Sequence, residues 1–167
     1  MYRPGHIGLA ALFAALPVFI LFQSEHYIAG ALFLIFAVGS CTLPDRVEDV
    51  FRLSHRGVTH TVGFALTTSV ILARLAQFAL SRDSHSFLPG SVGGVMVGLA
   101  VFTGLISHLA GDILTEGYDY RVTPWWPVNK KSYQLQWVKA GNPTWNYSLL
   151  AAGIATNTLI VLAALTT

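Results

Sequence analysis

Five long apolar segments, separated by short polar ones, follow one another along the chain. A membrane-spanning helix needs roughly 20 mainly apolar residues, with about 17 to 25 usual. The pattern therefore predicts an all-α fold, an integral membrane bundle of about five transmembrane helices in a single domain over residues 1–167. The predicted helices cover residues 7–22, 28–42, 60–80, 91–113 and 145–165.

Three other features of the pattern have a structural meaning. Residues 43–59 carry a large share of the charge in the chain, and they are predicted as a loop outside the hydrocarbon. Gly90, Gly94 and Gly98 recur at i, i+4 spacing, which allows helix backbones to approach closely and predicts a central helix. Residues 117–144 are rich in tryptophan, tyrosine and lysine, a composition typical of the headgroup level.

The overall composition supports a membrane protein. Hydrophobic residues make up 53% of the 167 residues and charged residues 11%, whereas soluble domains carry about 25% charged residues. A signal peptide is the alternative interpretation of the first apolar segment, but no small-x-small cleavage pattern precedes residues 23–26. We therefore expect this segment to stay in the protein as a helix, with the lipid bilayer as its partner.

Charge and cysteine content exclude other classes of protein. The formal net charge of +2 is small and divided among loops, so no nucleic-acid partner is expected. The single cysteine, Cys41, excludes an internal disulfide and a cysteine-based zinc knuckle.

Arginine and lysine are distributed unevenly between the predicted loops. With a cytoplasmic N-terminus, the outer side receives only Arg82, with Arg74 nearby. By the positive-inside rule, the N-terminus is predicted to be cytoplasmic and the chain to be a multi-pass protein of the cell membrane. The residues on the predicted cytoplasmic side are Arg3, Arg46, Arg52, Arg56, Arg121, Lys130, Lys131 and Lys139.

The same assignment of helices and loops to the two sides of the membrane brings most of the histidines to one membrane face. His26 and His85 fall on the outer side. Because the assignment used only hydropathy and charge, the grouping of the histidines is an independent indication of a shared site. The residues predicted at the cytoplasmic face are His6, Asp45, His55, His60, His108 and Asp112.

Their spacing suits a metal site. His108 and Asp112 are four residues apart on a predicted helix and so share a face. His55 and His60 are five residues apart, and a bend at Gly57 is needed to bring them together. Imidazole and carboxylate ligands suit zinc, with manganese or iron(II) as alternatives. A catalytic zinc uses three protein ligands, so six candidates indicate either two ions about 3.5 to 4 Å apart or additional supporting groups.

Simpler explanations exist for each residue. The His108 and Asp112 pair can be an interhelical hydrogen bond, although ionisable residues within a membrane usually mark function. His55 and His60 can belong to a solvated loop before a helix cap at Thr59. His6 can be an interfacial histidine and Asp45 a turn residue after proline. The combination of all these residues is what favours a metal site.

Four short motifs resemble those of the YdjM-like family of inner-membrane proteins, which are described as metal-dependent hydrolases. The order and spacing match from His6 to about Pro127, and His-Arg-Gly-x-Thr-His is the most specific piece. In that family a second aspartate follows Leu-Pro-Asp by two residues, and here that position is Val47, so Glu48 or Asp49 substitutes or one ligand is absent. The motifs are Pro4-Gly5-His6, Leu43-Pro44-Asp45, His55-Arg56-Gly57-Val58-Thr59-His60 and Ser107-His108-Leu109-Ala110-Gly111-Asp112-Ile113-Leu114-Thr115, followed by Trp126-Pro127.

The resemblance implies hydrolysis, and the residues suggest a mechanism. A metal ion would lower the pKa of a bound water molecule from 15.7 to about 7. Its predicted ligands are His55, His60, His108 and Asp112, with Asp45 and His6 completing or supporting the shell. Asp45 or Glu48 would take the proton as general base, and Arg56 would hold an anionic group of the substrate. The position at headgroup depth favours an ester or phosphoester of an amphiphilic molecule.

A non-catalytic metal-binding or transporter-like membrane protein is the alternative. A transporter places its ligands near the bilayer midplane. Here the candidate ligands crowd one face, which favours the enzyme.

Overall fold

The computed structural model describes residues 1–54, 56–82, 88–116 and 121–166. Within these ranges, five helical segments are long and apolar enough to cross a membrane, so the predicted five-helix, all-α fold is confirmed. The helices are α1 (Arg3–Gln23), α2 (Tyr27–Ser40), α3 (Leu43–Phe51), α4 (Val62–Arg82), α5 (Gly90–Leu114) and α6 (Pro143–Thr166), with a 3₁₀ turn at Val58–His60 and two short strands, β1 (Thr115–Glu116) and β2 (Val138–Lys139).

The charged segment after α2 is where the predicted secondary structure was wrong. Residues 43–51, expected as loop, form α3, which follows α2 so closely that the two make one membrane-length span of residues 27–51. Pro44 fits the first helical turn, where its missing N–H is not needed. Asp45 in the same turn complements the helix dipole. The helix ends at Arg52, which adopts a left-handed backbone conformation with φ 52°.

Helix α1 also begins earlier than predicted, at Arg3 instead of residue 7. Pro4 again lies in the first turn, where proline is pre-organised for helix. This early start has a consequence for the site. It makes His6 part of a rigid helix, and the imidazole is buried there with 1% exposure.

Helix α5 is central, as its glycine spacing predicted. It packs against α4, α2 and α1, whereas α6 packs on the far side of α1. A Cβ atom at Gly94 would lie 2.7 Å from the carbonyl oxygen of Ala73, and one at Gly98 would lie 2.8 Å from the Ala73 Cβ. Only glycine permits this approach of α4. The buried apolar side chains between these helices form the core, which lies beside the polar cluster described below.

The segment after α5 is anchored back onto the bundle by backbone hydrogen bonds. Strands β1 and β2 pair in parallel, and Leu135 N donates to the carbonyl oxygen of Ile113 at 2.7 Å. Val62 N, at the start of α4, donates to the Pro124 carbonyl oxygen at 2.8 Å. The tryptophan-rich segment is therefore held at the end of the bundle where α4 begins and α5 ends.

Candidate metal centre

Five of the six predicted metal ligands converge at one end of the bundle. Helix α1 contributes His6, α3 contributes Asp45, the 3₁₀ turn contributes His60, and α5 contributes His108 and Asp112. All are buried except Asp45, whose side chain is 38% exposed. The sixth predicted ligand, His55, lies outside the described residues.

One of the two histidines predicted on the opposite side, His26, is described by the structure. His26 lies in the turn between α1 and α2, at the opposite end of these helices, and is exposed. His85, predicted on that side as well, lies outside the described residues. The predicted separation of His26 from the cluster is therefore observed.

The donor atoms of the cluster lie close together. His60 Nε2 is 3.0 Å from His108 Nε2, 3.4 Å from Asp45 Oδ1 and 3.2 Å from Asp112 Oδ2. His108 Nε2 is 3.5 Å from each of the same two carboxylate oxygens. Two donors bound at about 2.0 to 2.1 Å to one tetrahedral ion lie about 3.3 Å apart. The spacing is therefore that of atoms sharing a single ion.

A second triad of donors adjoins the first. His6, His108 and Asp112 have donor atoms within 4.8 Å of one another, as do Asp45, His60 and His108. The two triads share His108. The His6 and His108 rings stack with centroids 4.0 Å apart and an interplanar angle of 17°.

Glu48 fixes the orientation of His60 from the side opposite the cluster. Its Oε1 lies 2.8 Å from His60 Nδ1 and also accepts a short hydrogen bond from the Thr59 hydroxyl. The amide of Gly57 donates to Oε1 at 3.3 Å and that of Arg56 to Oε2 at 3.2 Å. A metal-binding histidine commonly donates its second ring N–H to a carboxylate in this way.

This orientation has an electrostatic consequence. When the neutral His60 ring donates through Nδ1 to Glu48, its Nε2 carries a lone pair that faces the oxygens of Asp45 and Asp112. A lone pair and two carboxylates at such distances repel one another unless a proton or a cation lies among them. Without a metal, a proton fills this role. Burial alone would lower the pKa of His60, but hydrogen bonds to the carboxylates, Asp112 first, outweigh burial and raise its pKa to about 9.

Arg56 bridges the two carboxylates on either side of His60. Its backbone N–H donates to Glu48, and its guanidinium Nη2 lies 3.3 Å from Asp112 Oδ1. The residue has φ 57°, in the left-handed region that non-glycine residues rarely occupy. Such strain costs about 1 to 3 kcal/mol and is concentrated at functional sites. Asp112 Oδ1 also accepts from the amino group of Met1 at 2.8 Å.

Two ring nitrogens of the cluster lack hydrogen-bond partners among the described residues. These are Nδ1 of His6 and Nδ1 of His108, both completely buried. A buried polar atom without a partner costs about 1 to 3 kcal/mol. Gly111 permits the close approach of His6 to α5, because a Cβ there would lie 3.2 Å from the His6 ring. The converging donors of the cluster are instead Nε2 atoms and carboxylate oxygens, a donor set that suits zinc, manganese or iron(II).

Some of these contacts could not be identified from the sequence. The hydrogen bond of Glu48 to His60, the short bond from Thr59 and the contact of the Met1 amine with Asp112 were all missed. One partial signal was present, since the family motif continues with a carboxylate after Leu-Pro-Asp. Glu48 contacts Nδ1 of His60, the ring nitrogen that faces away from the cluster.

Comparison with known proteins gives one match. A family model described as YdjM inner membrane protein matches residues 1–167, the whole chain. No curated protein and no solved structure matches the chain.

Proposed function

Because the chain belongs to the YdjM inner membrane protein family, we propose that it is a membrane-embedded, metal-dependent hydrolase. Its site would face the cytoplasm and act on an ester or phosphoester of an amphiphilic substrate. One observation carries the proposal, the convergence of His60, His108, Asp45 and Asp112 with donor atoms 3.0 to 3.5 Å apart.

The residues of the cluster take separate roles in this proposal. His60, His108 and Asp112 hold a divalent cation, zinc in the first instance, and His6 supports it from the stacked position on His108. When bound, such a cation supplies Lewis acidity and makes a water molecule acidic enough to react near neutral pH. Glu48 keeps the Nε2 of His60 directed at the cation.

Asp45 is the carboxylate best positioned to handle protons. It is the only ionisable member of the cluster with substantial exposure among the described residues, so substrate and water can reach it. As water adds to the carbon or phosphorus of the ester, Asp45 accepts its proton and returns it to the leaving oxygen. Glu48 is already engaged with His60 and the backbone, which suits it to a positioning role instead of that of base.

Arg56 balances the charge of the site. Its guanidinium contacts Asp112, so it neutralises a carboxylate that would otherwise repel an anionic substrate. An anionic ester bound at the cluster would be attracted to the same guanidinium.

The test is a metal and activity measurement on protein purified in detergent. Bound metals are measured by mass spectrometry, and hydrolysis of aryl esters, aryl phosphoesters and phospholipids is followed with and without a chelator. We expect about one zinc, manganese or iron per chain and a hydrolysis that the chelator abolishes and the metal restores. Protein that takes up no divalent metal would refute the proposal.

The cytoplasmic position of the site is tested by cysteine labelling in whole cells. Ser24, in the α1–α2 turn, and Lys130, in the segment near the site, are exposed and lie at opposite ends of the bundle. In a Cys41→Ser background, a membrane-impermeant maleimide should label Ser24→Cys in intact cells and Lys130→Cys only after lysis. The reverse result would place the site outside.

A further inference from the structure

An apolar slot lies beside the start of α4, between this helix and the tryptophan-rich segment. Its volume is about 540 Å³, within the range of small-molecule sites. Trp125 and Trp126 form one wall, and Gly63 and Leu66 of α4 form the other. Leu66 is half exposed on a membrane-spanning helix, so the slot opens toward lipid.

A second, more polar cleft adjoins the slot, because Trp126 lines both cavities. The cleft, of about 350 Å³, is also lined by Ser54 and Gly57, and Gly57 is the residue whose amide donates to Glu48. Trp126 therefore separates an apolar cavity on the lipid side from a more polar one beside the residue that bonds to Glu48.

The segment that contributes one wall of the slot carries a positive charge in its sequence. Residues 121–139 contain four cationic side chains and no acidic ones. Lys131 lies over the ring of Tyr133, which lines the slot, with its Nζ 5.5 Å from the ring centroid. A cation near an anionic lipid surface contributes about 1 kcal/mol to binding. The four residues are Arg121, Lys130, Lys131 and Lys139.

From this arrangement we infer that the slot binds one acyl chain of an anionic phospholipid, whose phosphate headgroup lies in the cleft beside Gly57. The hydrocarbon chain gains little by leaving the bilayer, because both environments are apolar. Selection therefore comes from the headgroup charge, while the slot fixes the position of the chain. The inference rests on the proposed function in one respect, that the lipid bound there is the substrate or its analogue.

Two glycines allow a matched test of the slot. A Cβ at Gly63 would have Thr61 Oγ1 as its nearest neighbour, at 3.8 Å, so Gly63→Leu fills the slot without a backbone clash. A Cβ at Gly39, on α2, would meet nothing within 4 Å, and Gly39 lines a different groove, between α1, α2 and α6. Gly39→Leu is therefore the control for adding the same side chain to an exposed membrane helix.

The probe is phosphatidylglycerol with a diazirine in one acyl chain, present at a low fraction in phosphatidylcholine nanodiscs that hold the protein. After irradiation, the labelled peptides are identified by mass spectrometry, and phosphatidylcholine with the same diazirine serves as the zwitterionic comparison. We expect labelling of residues 121–137 to favour phosphatidylglycerol. Overpacking of the slot by Gly63→Leu should lower this labelling about tenfold, and Lys131→Gln about fivefold. Gly39→Leu should leave it unchanged.

Equal labelling by both lipids, or labelling unchanged in Gly63→Leu, would show ordinary contact with bilayer lipid and would overturn the inference. The experiment is repeated with a chelator, which should not alter the labelling. If the protein fails to bind metal and the selective labelling persists, the hydrolase proposal fails and the lipid site stands. If metal binds and the labelling is unselective, the lipid site fails alone.

Discussion

Helices α5 and α6 are both of membrane length and mainly apolar, and each buries polar side chains, but these side chains contact different kinds of partner. On α6, Asn157 Nδ2 donates to the carbonyl oxygens of Ala11 and Gly153, and Asn146 likewise bonds to backbone atoms. On α5, His108 and Asp112 contact ionisable side chains from three other segments. The polar groups of α6 thus bond to backbone between helices, whereas those of α5 belong to the candidate metal site.

Removal of a ligand on α5 should have the largest effect. Loss of a residue that only supports a metal ligand lowers metal affinity by about 10- to 100-fold. His108→Ala and Asp112→Ala should each lower it further and should abolish hydrolysis. The helix should survive, because alanine is the best helix former. Mass spectrometry measures the metal content of each variant, and circular dichroism measures its helicity.

His26→Ala is the matched control for this pair, since His26 is exposed at the opposite end of the bundle. It should change neither metal content nor activity. Equal metal loss in all three variants would indicate general unfolding, and full metal retention by His108→Ala would remove His108 from the site.

Glu48→Gln should have the next largest effect, since glutamine keeps the shape but loses the charge that orients His60. We expect metal affinity to fall by about 10- to 100-fold while the protein remains folded. Asp49→Asn is the control, because Asp49 is the neighbouring exposed carboxylate. A direct role as general base would instead lower the turnover rate and leave metal affinity unchanged, so a chelator competition titration beside the kinetics separates the two roles.

The sequence predicted that His108 and Asp112 of α5 meet the other candidate ligands. It could not predict that Glu48 orients His60. Helix count and i, i+4 spacing depend only on local periodicity, so the sequence was enough to place His108 and Asp112 on one face of α5, at the same end of the bundle as His6, Asp45 and His60. The contact of Glu48 with His60 depends on α3, on the 3₁₀ turn and on the left-handed conformation of Arg56. These features arise from tertiary contacts within a segment whose charge resembled that of a loop.

Metal affinity should also depend on pH, through His60. Its pKa of about 9 in the folded, metal-free protein lies above the ordinary 6.5. Protonation of His60 therefore stabilises the folded, metal-free protein fully below pH 6.5, and this contribution is lost as pH rises through about 9. A metal needs the neutral ring, so affinity should rise about tenfold per pH unit over this range and then level off. In Glu48→Gln the plateau should begin at a lower pH, because one of the carboxylates that raise the pKa is gone. Competition with a chromophoric chelator measures affinity, and a pH-independent value would contradict the assignment of His60.

Substitution on α6 should have the smallest effect, and it is the most direct test of the contrast between the helices. Asn157→Leu removes two hydrogen bonds to backbone carbonyls, and such bonds in membrane proteins contribute about 0.6 kcal/mol on average and at most about 1.7 kcal/mol. The loss is offset in part, because the Asn157 Oδ1 is buried without a partner among the described residues and leucine removes it. Unfolding in mixed micelles should therefore shift slightly, and metal content should stay at the wild-type level. Thr158→Ala, an exposed neighbour on the same helix, controls for substitution in α6. Loss of metal from a folded Asn157→Leu variant would contradict this contrast. A residue that bonds only to backbone would then control metal binding, so the partners of a buried polar group would not reveal its role.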